Sequence, residues 1–136
     1  MLATSSHAAD WKTDYDQALV ASAQTKKPML INFTGSDWCP PCIAMHKRVL
    51  SKPDFLEFAQ KNVILLEIDL PRRRELPPQL MEQNYRLKQQ FHVESLPVLV
   101  LVNAEGKILG QVEGYAGETP ADVIGWLQKS IEKSSH

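Results

Sequence analysis

Met29-Leu30-Ile31-Asn32-Phe33-Thr34-Gly35-Ser36-Asp37-Trp38-Cys39-Pro40-Pro41-Cys42 is the stretch that decides the fold. Residues 29–34 form a short apolar run that stops at the turn residues Gly35-Ser36-Asp37, so a buried strand is expected there. From Pro41 onward Ile43, Met45, Val49 and Leu50 recur at helical spacing, and a proline is tolerated in a first turn whose N–H groups have no partner. The chain's only two cysteines therefore lie between a strand and a helix. One bridge closing so short a loop removes little chain entropy, so the pair serves chemistry or metal binding rather than a disulfide framework.

At a helix N-terminus the dipole favours the thiolate of Cys39, which makes it the expected nucleophile. Cys42, one turn later and expected to be more buried, can then attack the mixed disulfide. Pro40 and Pro41 offer no N–H, leaving the amide of Cys42 as a partner for the thiolate. The alternative is a module that handles Cu(I) or zinc through Cys39, Cys42 and His46, since soft thiolates suit Cu(I). A structural zinc site needs four ligands and there is no third cysteine; His46 stands one turn past Cys42, where a surface histidine is the plainer reading. Haem attachment would need histidine directly after Cys42, where Ile43 stands.

Working outward, Thr13 and Asp16 suggest a capping box for a helix from Asp14 to Gln24, with Trp11 packing just before it. Ser51-Lys52-Pro53-Asp54 marks a kink or restart, followed by a shorter helix carrying Phe55, Leu56, Phe58 and Ala59. Val63–Asp69 reads as a second strand. Leu70–Pro78, rich in proline and arginine, reads as a loop and as the least constrained region; Pro78 opens a third helix through Leu80, Tyr85, Leu87 and Phe91. Val98–Asn103 and Lys107–Glu113 form a hairpin across Asn103-Ala104-Glu105-Gly106. Thr119-Pro120-Ala121-Asp122 caps a last helix carrying Val123, Ile124, Trp126, Leu127 and Ile131. The order is that of an α/β chain with parallel crossovers early and an antiparallel pair late.

The 136 residues suit one domain over residues 11–136, with 1–10 as a flexible tail. A formal net charge of −1 gives no footprint for nucleic acid or an anionic membrane, and Arg72-Arg73-Arg74 reads as a solvated loop rather than a phosphate site. No stretch has the length of a membrane span. Ser6-His7-Ala8-Ala9 resembles the small-residue end of a signal peptide, consistent with a signal already removed.

Phe33 through Cys42, centred on Trp38-Cys39-Pro40-Pro41-Cys42, resembles the thioredoxin superfamily, and the element order agrees over about Trp11 to Ile131. The Gly35-Ser36-Asp37-Trp38-Cys39 form, the loop with Leu70-Pro71-Arg72 and Leu76-Pro77, and Gly114-Tyr115 look most like bacterial extracytoplasmic thioredoxin-like proteins of the disulfide reductase branch. The resemblance implies a mixed sheet of four to five strands flanked by helices, and a monomer that needs no cofactor beyond its redox-active cysteine pair. It also implies exchange with disulfide-containing protein substrates, as reductase or isomerase, and an upstream thiol donor to recycle it.

The same resemblance makes Pro97 a cis-proline facing the cysteines, beside which the Leu96 backbone would pair with a substrate strand. A proline opening a strand fits either isomer. Trp38 shields the sulfurs or joins Pro40 and Pro41 in the expected docking surface. Asn32 is the departure, because thioredoxins that resemble this segment carry a buried aspartate there and an amide cannot titrate. Either Cys42 loses its proton through water, or another carboxylate substitutes. Strand parity puts Leu65, Glu67 and Asp69 on one face, so Glu67 is the candidate, a solvated strand-end charge being its alternative role.

Overall fold

Strand β1, Met29–Thr34, is buried along its whole length, as befits the centre of a sheet covered on both faces. The computed structural model describes residues 11–134; the tail expected over residues 1–10 lies outside them. In chain order the elements are α1 (Tyr15–Thr25), β1, α2 (Pro40–Met45), a π-helical segment (His46–Leu50), α3 (Pro53–Asn62), β2 (Ile64–Asp69), α4 (Pro78–Gln90), β3 (Val98–Val102), β4 (Ile108–Glu113) and α5 (Pro120–Ser134). The four strands lie in the order β2-β1-β3-β4. β1 runs parallel to β2 with Asn32 opposite Glu67 and antiparallel to β3 with Asn32 opposite Leu99, and β3 pairs antiparallel with β4. This is the mixed sheet of a thioredoxin-like fold.

Alternation along the strands divides the core in two. Met29, Ile31, Phe33, Leu66, Ile68, Val98 and Val100 face one side with Ala18 of α1 and Leu87 of α4. Leu30, Leu65, Leu99 and Leu101 face the other with Met45, Val49, Phe55, Ala59 and Leu127. Asn32 and Thr34 continue the row begun by Leu30, and so lie on the face that α2 covers.

Several details differ from the expectations. Asp14, not Thr13, caps α1: its extended backbone holds the carboxylate 2.9 Å from the Gln17 N–H, so no Thr13–Asp16 box forms. The helix after the cysteines is not α throughout. It widens over His46–Leu50, where the Ser51 N–H donates to the His46 carbonyl five residues back at 2.9 Å, and the restart expected at Pro53 begins α3. On α4, Tyr85 is exposed. Asn84 is buried, its Nδ2 donating to the Asp69 carbonyl at 2.8 Å. At the outer edge of β2, Lys12 bonds both ways, its N–H to the Leu65 carbonyl at 2.9 Å and its carbonyl from the Glu67 N–H at 2.8 Å, which satisfies backbone groups an edge would leave bare.

Candidate redox site

Cys39 is the N-cap of α2, in extended conformation at φ −100° and ψ 106°, with its sulfur 3.4 Å from the Cys42 N–H it accepts. The two prolines that follow supply no amide, so this is the donor the sequence left for Cys39. Cys39 and Cys42 are joined by a disulfide with their Cα atoms 5.2 Å apart. Both are buried, at 4% and 2% exposed, so the contrast expected between them is small. Pro40 and Pro41 stand exposed at the rim.

The two sulfurs face different neighbours. Cys39 Sγ lies 3.9 Å from the Leu96 carbonyl oxygen, and the Leu96–Pro97 peptide that follows is cis. The Pro97 carbonyl accepts the Gly114 N–H at 2.8 Å, which ties this corner to the end of β4. Cys42 Sγ instead accepts the Gly35 N–H at 3.4 Å. It also lines a pocket of about 370 Å³ with Asn32, Thr34, Glu67 and His46.

In that pocket Asn32 is 3% exposed, and among the described residues its Oδ1 has no hydrogen-bond partner. A buried acceptor without a partner costs about 1–3 kcal/mol unless something in the pocket supplies one. Glu67 faces the same space. Burial pushes its carboxyl above the ordinary carboxylate range, the neighbouring Asp69 charge adds to this, and His46 and Arg74 oppose it. The structure thus gathers Cys42, Asn32, Glu67 and His46. It does not make Cys39, Cys42 and His46 a ligand set: among the described residues no group of three or more His, Cys, Asp or Glu side chains is placed to hold a metal.

Trp38 is fixed from three sides. Its Nε1–H donates to the Leu70 carbonyl at 2.8 Å, and the Arg72 guanidinium stacks 3.5 Å from the ring centroid. Gly35 lies against the ring so closely that a Cβ there would fall 2.6 Å from Cε2 and Nε1. The loop that brings Leu70 and Arg72 to this place is held by Asp37, whose carboxylate accepts the N–H groups of Arg72, Arg73 and Arg74 at 3.0, 2.9 and 2.8 Å. The Arg72 N–H, with those of Arg74 and Arg73, keeps the Asp37 carboxyl below the ordinary range against a smaller opposing effect of desolvation. Asp69 adds a second tie, accepting the Ser36 N–H at 2.9 Å, the Ser36 hydroxyl, and the Arg74 guanidinium at 2.6 Å. The arginine side chains are exposed, as expected, while the loop expected over Leu70–Pro78 is held by three backbone bonds to one carboxylate.

Sequence reasoning missed Gly35, Asp37, Leu70 and Arg72 as residues that shape the site. A Gly-Ser-Asp turn signals only a turn, and no local pattern links Asp37 to amides 35 positions on. Chemically, the arrangement is a dithiol–disulfide couple with an exposed rim beside Cys39 and a polar pocket beside Cys42.

A family model described as a thioredoxin-like domain matches residues 15–131. The disulfide bond reductase DsbH of Chlamydia pneumoniae is 38% identical over 102 residues, which are 75% of this chain and 61% of that protein. The thioredoxin-related protein DsbJ of the same organism is 30% identical over 125 residues, 92% of this chain and 36% of the relative. The chain thus spans less than two thirds of these relatives' own length. A solved structure of a DsbH oxidoreductase superposes with a TM-score of 0.85 at 31% identity, covering 95% of this chain and 91% of that one.

Proposed function

The chain belongs to the thioredoxin-like domain family, and from that premise we propose that it is a thiol-disulfide oxidoreductase that reduces or isomerises disulfides in protein substrates through Cys39-Pro40-Pro41-Cys42. The observation that carries this reading is the Cys39–Cys42 disulfide at the start of a helix, with the Cys39 sulfur 3.9 Å from the Leu96 carbonyl that precedes the cis Pro97. In the reduced protein the Cys39 thiolate attacks one sulfur of a substrate disulfide, forming a mixed disulfide and releasing the other sulfur as a thiolate. Cys42 then attacks the Cys39 sulfur, the Cys39–substrate bond breaks, and the second substrate thiolate leaves. Two electrons have passed to the substrate and the protein ends oxidised. A dithiol donor must return them, which is the upstream partner this chemistry requires.

Trp38, Pro40, Pro41, Leu96 and Pro97 form the docking surface in this reading. An extended substrate segment beside Leu96 would present its disulfide to Cys39. The resemblance to extracytoplasmic thioredoxin-like proteins supports exchange outside the cytoplasm. Among the described residues no helix is long and apolar enough to cross a membrane.

Replacement of Cys39 by serine is expected to abolish catalysis of insulin reduction by dithiothreitol; turnover retained by Cys39→Ser would overturn the assignment. Equilibration of the wild-type couple with glutathione buffers sets the direction, a potential near thioredoxin's about −270 mV identifying a reductase and one well above it an isomerase or oxidase.

A further inference from the structure

The two sulfurs open onto opposite flanks of β1. Cys39 looks toward Leu96 at the entry to β3, the flank where substrate docks in the proposed function. Cys42 looks toward β2, into the pocket that holds Glu67, Asn32 and His46. Resolution of a mixed disulfide requires Cys42 to give up a proton while substrate covers the first flank, so the second is the one still open to receive it. Asn32 in this pocket is an amide that cannot titrate, and among the described residues its buried Oδ1 has no partner. Glu67, opposite Asn32 in the β1–β2 register, is the carboxylate there.

Resting on that functional reading, we propose that Glu67 is the proton acceptor for Cys42 and that Asn32 positions the water through which the proton passes. A pocket of about 370 Å³ with several polar walls has room for water and partners to hold it. Such a water accepts the Cys42 S–H and donates one hydrogen to the Glu67 carboxylate and the other to Asn32 Oδ1, filling the unmet acceptor. As Cys42 ionises, its proton moves to the water, the water's own proton moves to Glu67, and the thiolate attacks Cys39. The proton then leaves from Glu67 to solvent past Ser36 and Lys47 at the mouth of the pocket. Electrons are exchanged on the β3 flank and protons on the β2 flank.

The charged and titrating groups around Glu67 are Asp69 on its own strand, Arg74 from the following loop, and His46 and Lys47 from the π-helical segment. Burial and the Asp69 charge hold the carboxyl above the ordinary range, nearer to neutral pH, where a group that takes and returns a proton works best.

The test is single-turnover release of a chromogenic thiol from its mixed disulfide with Cys39, followed against pH in wild type, Glu67→Gln, and the Asn32→Asp/Glu67→Gln pair. Wild type should gain rate as pH rises through the raised Glu67 titration. Glu67→Gln should lose that limb, fall by on the order of 10²-fold near neutral pH, and rejoin wild type above the free thiol's range of about 8.5. The pair, which moves the carboxylate to β1, should recover the limb. A Glu67→Gln profile equal to wild type, or lowered evenly at all pH, overturns the proposal while leaving the disulfide exchange assigned to Cys39 intact. A measurement on the unaltered protein probes the same proton transfer without relying on a variant's folding. The Glu67 carboxyl resonance should titrate higher when Cys39–Cys42 is reduced than when it is oxidised, and one titration common to both forms overturns the proposal.

Discussion

Asn103–Lys107 and Leu70–Pro77 both carry the chain between regular elements on polar residues, but they are closed by different means. In the first, the Asn103 side chain accepts the N–H groups of Glu105 and Lys107 at 3.0 and 2.9 Å, the Gly106 N–H returns to the Asn103 carbonyl, and Gly106 takes the left-handed φ of 84° that the turn demands. In the second, the closing group is Asp37, 35 to 37 positions earlier in the chain. The hairpin turn is closed by bonds among its own five residues. The longer loop is closed by the turn that carries Trp38, and in return it supplies the carbonyl and the guanidinium that hold the ring of this neighbour of Cys39.

The contrast breaks most visibly at Gly35. A methyl group there meets Trp38 Cε2 and Nε1 at 2.6 Å, and moving the ring away would disturb its bond to the Leu70 carbonyl and its stacking with Arg72. Gly35→Ala is expected to lose about 2 kcal/mol in urea unfolding, within the usual range for overpacking, and to shift Trp38 fluorescence to the red as the ring leaves its slot. A loss below about 0.5 kcal/mol, the level of an ordinary surface change, would mean that the second loop does not grip the ring at all.

Asp37 tests the grip itself. Its carboxyl is held below the ordinary carboxylate range by the amides it accepts, so its contribution is complete above about pH 3.9, the unfolded value, and is lost as pH falls through the lower folded one. The amide resonances of Arg72, Arg73 and Arg74 should therefore titrate together with a midpoint below that of a free aspartate. Asp37→Ala should abolish the joint titration and speed tryptic cleavage within the arginine run on the order of tenfold, as local opening becomes easier. Three amides titrating independently would show that Asp37 does not hold the loop as a unit.

The same contrast explains how much of the molecule was legible in sequence. Strand β1 at Met29–Thr34, the helix restart at Pro53, the hairpin, and the Thr119 cap of α5, which exchanges bonds with Asp122 at 3.0 and 3.1 Å, are all written in neighbouring residues. Cys39 and Cys42 were legible for the same reason, since a strand, a turn and a helix N-terminus adjoin in sequence. Glu67 could be suggested because strand parity is a local rule, while its meeting with Asn32 depends on the parallel register of β1 and β2. The clamp of Asp37 on three arginine amides and the slot for Trp38 between Gly35 and Arg72 could not be read. They join segments whose approach is set by the whole sheet. The π-helical turn at His46–Leu50 has no signature in its residues either.

The smallest expected effect lies in the hairpin. Asn103→Ala removes the acceptor of two amides in a turn that water reaches freely, so about 0.5–1 kcal/mol of stability should be lost in urea unfolding. Insulin reduction should stay at the wild-type rate, because among the described residues no bond of this turn reaches the redox site. A rate that fell with Asn103→Ala would show that the β3–β4 end transmits strain along β3 to Leu96 and Pro97. The local turn would then belong to the functional unit as much as the loop that Asp37 holds, and closure by neighbouring residues would no longer mark a segment as independent of the site.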